Sequence, residues 1–439
     1  MPLRLVEEVT PKVKQTIRSL LRLSMGEAGS RVASFILYAY ISRRLGVEVL
    51  GIVALAQTVA SYVTLSTDQG LRLIGARLVA RDAGSARIVA RQLVPKRLLL
   101  AAFSIAAGTL YALFGPLPVP ARPYVLCFVL AVLPYAFSLD WLAWGLNHLG
   151  WLGGWRSGIS LAFALGAVAG IHFTGNVFSS ITLANALSAV LGAAFLWPVW
   201  RFFWGDASRP AQPRSAKLDS EILSELRWAP IMTLGMASIL NLMFKNFDTV
   251  MLGALSTTAE VGRYSAATKV LFFVFSGYYL LMQTLYPQLS RVADDRMRFL
   301  VKRALVSVAA IGFVVAILTA ALAPVILRII YGSDLGSTRL LRILAISVPF
   351  DFCVSLLGTV FVSRGFDKLV LATAGISAVG NILMNWFLIP RMQAEGAAWA
   401  TLGSYVLFLA IFLVFLFRLP KLEHLKARGN ETESLAVVP

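Results

Sequence analysis

Residues 304–327 read ALVSVAAIGFVVAILTAALAPVIL, with Lys302 and Arg303 before them and Arg328 after. A helix that crosses the hydrocarbon of a bilayer needs about 20 mainly apolar residues, and this run meets that length without a single charge. The rest of the chain repeats the pattern. Of 439 residues, 58% are hydrophobic and only 14% charged, with a mean hydropathy of +0.75. A soluble domain carries roughly 25% charged residues, so this chain is too poor in charge to cover a water-facing surface. The net charge is nevertheless +18. A nucleic-acid binder shares such an excess but not this much apolar sequence, so nucleic acid is not expected as a partner. Cys127 and Cys353 both lie in apolar runs and form neither a disulfide framework nor a cysteine-rich metal site.

Twelve candidate spans follow, near 25–42, 50–66, 98–116, 123–144, 156–174, 178–200, 228–253, 264–286, 304–327, 343–363, 369–390 and 396–417. The basic residues test that count. With the N-terminus inside, the segments on the inner side hold 29 Lys and Arg, the outer loops hold 8, and Arg31, Lys245 and Lys269 lie within spans. Such a bias toward one side is the mark of cytoplasmic loops. It places both termini in the cytoplasm of a multi-pass inner-membrane protein. Residues 1–24 lack the uninterrupted apolar core of a signal peptide and are expected to lie on the inner leaflet as an amphipathic helix. The polar tail 419–439 is expected to be disordered.

An internal repeat divides the spans. Gly51, Ala56 and Val59 correspond to Gly262, Ala267 and Val270, each 211 residues later. A second echo sets Leu130-Ala131 and Pro134 against Leu344-Ala345 and Pro349. The expected architecture is all-α, with a first six-helix half at 25–205, a linker at 206–226 and a second half at 227–418. Since six is even, the halves are parallel, related by a pseudo-two-fold axis along the membrane normal around a central cavity. Transporters commonly place their substrate path at such a repeat interface.

Several stretches carry a family resemblance. Gly29-Ser30-Arg31 is followed by Tyr40-Ile41-Ser42-Arg43-Arg44-Leu45-Gly46, Leu50-Gly51, Thr67-Asp68-Gln69-Gly70-Leu71 and Gly75-Ala76-Arg77. Later come Asp248-Thr249-Val250-Met251-Leu252-Gly253, Val261-Gly262-Arg263-Tyr264 and Tyr286-Pro287-Gln288-Leu289-Ser290-Arg291. Together they resemble the polysaccharide-export branch, the O-antigen or repeat-unit flippases, of the multidrug/oligosaccharidyl-lipid/polysaccharide exporter superfamily. The resemblance implies a flippase that carries undecaprenyl-diphosphate-linked oligosaccharide from the inner to the outer leaflet by alternating access. Its implied partners are that polyprenyl-diphosphate-linked glycan and membrane lipid, with a glycan polymerase and a chain-length regulator as candidates. An ion-coupled multidrug exporter is the alternative from the same superfamily.

Charges inside spans are costly unless they pair or line water, so they are the candidate site. Glu27 and Arg31 share one helix face, as do Asn241, Lys245 and Asp248. A diphosphate needs cations in place of its lost water, and Arg31, Lys245 and Lys269 are the expected cradle. Glu27, Asp248 and Asn241 would orient them and receive sugar hydroxyls, and Asp140, beside Trp141 and Trp144, is a further lining candidate. The alternative, that Glu27–Arg31 and Lys245–Asp248 are ion pairs joining helices, stays open. Asp68 is a candidate cytoplasmic gate, or simply a helix cap. Asp351, just after Pro349, is a candidate ion site. The sequence holds no phosphate-binding loop and no HExxH or Ser/His/Asp arrangement, so neither catalysis nor a cofactor is expected. H+ or Na+ are the candidate coupling ions.

Overall fold

The computed structural model describes residues 2–146, 149–194, 222–289 and 294–435. Within them, the side chains at 2–28, 31, 149–152, 193–194, 234, 237, 241, 276–277, 279–281, 283–289, 294–298 and 419–435 lie outside the described set. Every longer regular element among the described residues is an α-helix, and no strand occurs there. Among the described residues, seven helical segments are long and apolar enough to cross a membrane, including Val32–Asp68, Phe299–Tyr331 and Asp367–Arg418. The chain is therefore a multi-pass membrane protein.

Helix length alone shows that two of these segments fold back on themselves. Helix α1 (Pro2–Asp68) includes the 37-residue segment Val32–Asp68. At about 1.5 Å per residue it would far exceed the about 30 Å hydrocarbon core. It turns at Gly46, whose φ of 85° and ψ of 179° belong to a region that is essentially reserved for glycine. The two arms then meet, and the Tyr38 hydroxyl donates to Gln57 Oε1 at 2.7 Å. The last helix, Asp367–Leu435, turns in the same way at Gln393. There Asn381 Nδ2 donates to Ser404 Oγ at 3.1 Å, and the α-carbon of Gly403 sits close enough to Met384 that a Cβ would clash with its sulfur.

The chain folds as two compact units. The first comprises Met1–Lys269 and Pro324–Thr338. After α1 it contains α2 (Leu71–Arg81), α3 (Ala86–Phe114), α4 (Arg122–Leu130), α5 (Leu133–Ala136), α6 (Asp140–Gly145), α7 (Leu149–Thr174), α8 (Val177–Ala194) and α9 (Trp228–Leu255). Proline and glycine set the breaks. Gly115, Pro116, Pro118 and Pro120 end α3, and Pro134 starts the short α5. Between α7 and α8, Asn176 Oδ1 accepts from the Ser179 N–H and caps the new helix. A core of Leu71, Ile74, Leu78, Val89, Leu93, Trp141 and Leu142 joins α2, α3 and α6. Trp141 is fully buried in this core. Gly75 makes the room, since a Cβ there would stand 2.8 Å from the indole.

The linker expected at 206–226 lies outside the described residues up to 221. Its described end is packed onto the first unit. Ile222 and Leu226 are buried, and Glu225 pairs with Arg77 and Arg81 at 2.5 and 2.7 Å.

The second unit comprises Val270–Ala323 and Arg339–Pro439. Its helix Val348–Ser363 is largely buried, and the ring of Phe352 stacks on Tyr278 at 3.8 Å while the Tyr278 hydroxyl donates to the Phe352 carbonyl. By contrast Val306, Ile311, Ile317 and Leu318 face outward. In water such a face would be an association surface, whereas in a bilayer it is the ordinary lipid-facing side.

Candidate functional site

The first unit contains an open, partly polar cavity of about 960 Å³. The second arm of α1 supplies Gln57, Ser61, Thr64 and Asp68, its first arm Ser34, and α2 Arg72. Phe128, Tyr135, Trp144, Ser238 and Lys245 complete the polar and aromatic lining. Ser61 and Thr64 each donate to the carbonyl four residues earlier, at 2.8 Å. This satisfies their protons within the helix and leaves hydroxyl lone pairs toward the cavity. An apolar helix tolerates such residues because the backbone itself is their partner.

One end of the cavity rests on a cluster of five charged side chains from separate helices. Asp140 Oδ2 lies 2.5 Å from Arg156 and 3.6 Å from Arg72, and its Oδ1 lies 3.6 Å from Arg97. Arg97 also faces Asp68 at 3.7 Å and donates to the Ser138 carbonyl. Arg97 and Asp140 are only 2% and 3% exposed. A buried charge persists only when it is paired and hydrogen-bonded. Aromatic faces add to the pairing, with the Arg97 guanidinium 4.6 Å from the Tyr135 ring centre and that of Arg72 5.0 Å from Trp144. Three arginines against two aspartates leave the cluster with an excess of positive charge. Of the cluster, Asp68 and Arg72 reach the cavity surface, where Lys245 adds a further cation.

Toward the Gly46 turn of α1 the helices meet in contact. The Ser42 hydroxyl donates to the Tyr331 carbonyl, Arg43 donates to the carbonyls of Ile329 and Ile330, and the Tyr331 hydroxyl donates to the Ala266 carbonyl. The start of α10 (Thr258–Leu289) crosses α1 there, glycine against glycine. A Cβ on Gly51 would lie 1.8 Å from the Thr258 carbonyl oxygen, and one on Gly262 would lie 2.0 Å from the Val47 carbonyl oxygen.

Of the residues singled out from sequence, Lys245 and Asp68 line the cavity. Asp140 lies beneath Arg72 in the charged cluster. Lys269 stands with its ammonium 4.7 Å from the Tyr38 ring centre, and Tyr38 in turn holds Gln57 of the lining. Asp248 is buried and accepts from the Tyr264 hydroxyl at 2.7 Å. Asp351 is buried in the second unit, in the first turn of the helix that begins at Val348. Glu27, Arg31 and Asn241 sit on described helices, but their side chains lie outside the described residues. Among the described residues no cluster of His, Cys, Asp and Glu is arranged to hold a metal.

Sequence reasoning missed Arg72, Arg97, Arg156, Tyr135 and the neutral lining of Ser34, Gln57, Ser61, Thr64 and Ser238. In the sequence Arg72, Arg97 and Arg156 fall among the basic residues that set orientation. The signal that could have found them is Asp140, an acid within an apolar run whose burial demands a counter-charge from elsewhere.

A polar cavity with a charged floor, walled by helices of membrane-crossing length, is the architecture of a multi-pass membrane transporter. Solved structures share the fold. The lipid II flippase MurJ in an inward-closed conformation matches with a TM-score of 0.69 at 12% identity, over 90% of this chain and 87% of that one. An inward-facing multidrug-resistance MATE-family transporter of the same exporter superfamily gives 0.67 at 15% identity, over 92% and 99%. A superfamily transporter from Pyrococcus furiosus, described as having a binding pocket of reversed polarity, gives 0.54 at 13% identity, over 93% and 96%. No curated protein matches the sequence. The chain belongs to the family described as polysaccharide biosynthesis protein, whose model matches residues 17–293. Those structural neighbours are described as a flippase and as transporters.

Proposed function

We propose that this protein is a flippase that moves polyprenyl-diphosphate-linked oligosaccharide repeat units across the inner membrane by alternating access, for surface polysaccharide biosynthesis. The observation that carries the reading is the charge of the cavity. Arg72 and Lys245 face its interior beside a single acid, Asp68, and Arg97 and Arg156 stand behind them. A diphosphate gives up its hydration for such cations. Hydroxyl and amide groups of Ser34, Gln57, Ser61 and Thr64 are suited to sugar hydroxyls, and Trp144 and Tyr135 offer faces for a sugar ring.

In this reading twelve spans form two six-helix halves, with both termini and the Asp68–Arg72 end of the cavity cytoplasmic. The reciprocal packing of Gly51 and Gly262, residues that correspond in the internal repeat, supports a two-fold relation between the halves. Protons or sodium ions are the proposed coupling ions, and a glycan polymerase and chain-length regulator are the proposed partners downstream. An exporter of cationic drugs would need an acidic or purely aromatic cavity, and the excess of cations argues against it.

The test is loss of charge in vivo. Cells whose only flippase carries Arg72→Gln with Lys245→Ala should lose surface glycan and accumulate its lipid-linked precursor, with the protein still folded and in the membrane. Normal surface glycan with resistance to cationic drugs lost would favour the exporter instead.

A further inference from the structure

A second cavity, of about 520 Å³, lies in the same unit between the second arm of α1, α3 and α9. Its volume is within the about 300–1,000 Å³ of ligand pockets, and its lining is almost wholly apolar, with Val63, Phe103, Ile239 and Phe247 as its main surfaces. Two of its walls are shared with the polar cavity. On α1, Ser61, Thr64 and Asp68 face the polar side while Val59, Tyr62 and Val63 face the apolar one. On α9, Ser238 and Lys245 face the polar side while Ile239, Phe247 and Val250 face the other. The two helices thus form a partition, tied by the Tyr62 hydroxyl donating to the Leu242 carbonyl at 3.2 Å.

The two linings meet at the end of α1. Asp68 and Gly70 belong to the polar cavity and Gln69, between them, to the apolar one. Gln69 and Gly70 have φ of 40° and 77°, which breaks the helix there. The Gln69 amide packs directly on Gly235, where a Cβ would stand 1.8 Å from its Oε1. On its far side the apolar cavity opens at Phe103, which is 75% exposed on the lipid-facing side of α3.

We propose that this apolar cavity is the seat of the head-proximal isoprene units of the carrier lipid, held on one side of the α1–α9 partition while its diphosphate and glycan occupy the polar cavity on the other and the rest of its chain stays in the bilayer. The link between head and chain passes around the break at Gln69. This inference rests on the flippase reading, because it takes the headgroup to be in the polar cavity. Amphiphile and protein match in kind. A molecule with an anionic head and a long hydrocarbon chain meets a cationic polar cavity and an apolar cavity that share a wall, and the apolar one opens toward the bilayer from which the chain comes.

Photolabelling tests the proposal. Full-length protein in lipid nanodiscs is irradiated with a prenyl diphosphate carrying a diazirine within its first few isoprene units, and labelled peptides are mapped by mass spectrometry. Saturable label should fall on residues 99–108 of α3 and 232–250 of α9. Unlabelled prenyl diphosphate should compete for it, and a phospholipid should not. Ala107→Trp, which fills the cavity at its mouth, should lower that labelling about tenfold, and Ile239→Trp, which fills it from the opposite wall, should do the same if the first variant folds poorly. Arg72→Gln should weaken binding without moving the label. Saturable label elsewhere on the protein would overturn the chain seat and leave the flippase reading intact. Equal competition by phospholipid would show a general acyl crevice and also overturn it. Absence of saturable label anywhere would overturn both.

Discussion

Gly51 and Gly262 pack against each other reciprocally. Gly51 meets the backbone of Thr258 and Gly262, and Gly262 meets the carbonyl of Val47. Val47 and Gly51 correspond to Thr258 and Gly262 at one offset of 211 residues, the offset of the internal repeat. Each helix therefore offers its equivalent residue to the other at the point of closest approach. The atoms in the way are backbone atoms, which cannot swing aside as a side-chain end can. Gly51→Ala and Gly262→Ala should each force the helices apart and cost about 1–3 kcal/mol, the usual penalty for overpacking. Thermal unfolding of the purified variants measures this. Gly154→Ala and Gly158→Ala are the controls, since nothing stands within 4 Å of a Cβ at either position.

The charged cluster should show the asymmetry of buried ion pairs. Asp140→Asn leaves Arg72, Arg97 and Arg156 facing one another with most of their counter-charge gone. Removing one partner of a buried pair typically costs about 3–5 kcal/mol. Denaturant unfolding should show a loss of that order. Arg77→Gln removes a pair with Glu225 in which the arginine side chain is 48% exposed, and should change stability by less than about 1 kcal/mol.

Gln69 and Gly235 should behave as a coupled pair. Gly235→Ala puts a methyl group where the Gln69 amide now lies, so transport of lipid-linked glycan should fall severalfold. Gln69→Ala removes the obstructed group. The double variant should recover much of what Gly235→Ala loses, an interaction that a double-mutant cycle of transport rates resolves.

Gly46 isolates the backbone. Nothing lies within 4 Å of a Cβ there, so any cost of Gly46→Ala comes from its φ of 85° alone. About 1–3 kcal/mol is expected for a non-glycine residue in that region, read as a lower thermal midpoint with an unchanged helical spectrum.

The helices were legible because apolar runs of bilayer length are a strong signal, and the tight turn after Ser42-Arg43-Arg44-Leu45 is marked by Gly46. Of the charged residues singled out from sequence, Lys245 and Asp68 line the cavity and Asp140 lies under it. The signal failed in two physical ways. Basic residues at span ends usually set orientation, so Arg97 and Arg156 look like loop charges until the fold brings them to Asp140. Neutral residues such as Ser61 and Thr64 satisfy their own protons on their helix, so they carry no penalty that would expose them in a sequence. Lys269 shows the converse. Its charge makes it conspicuous, yet it lies against Tyr38, one contact behind the lining.

Movement of a diphosphate-linked glycan across the bilayer should depend on the cations of the polar cavity. It is tested most directly in proteoliposomes with a fluorescent prenyl-diphosphate oligosaccharide, whose loss from the outer leaflet is followed by a membrane-impermeant quencher. The wild-type protein should translocate the lipid, and Arg72→Gln with Lys245→Ala should reduce the rate at least about tenfold, a transition-state loss of about 1.4 kcal/mol, while a neutral-headed prenyl alcohol is unaffected by the substitutions. Translocation by the doubly substituted protein at the wild-type rate would contradict the account.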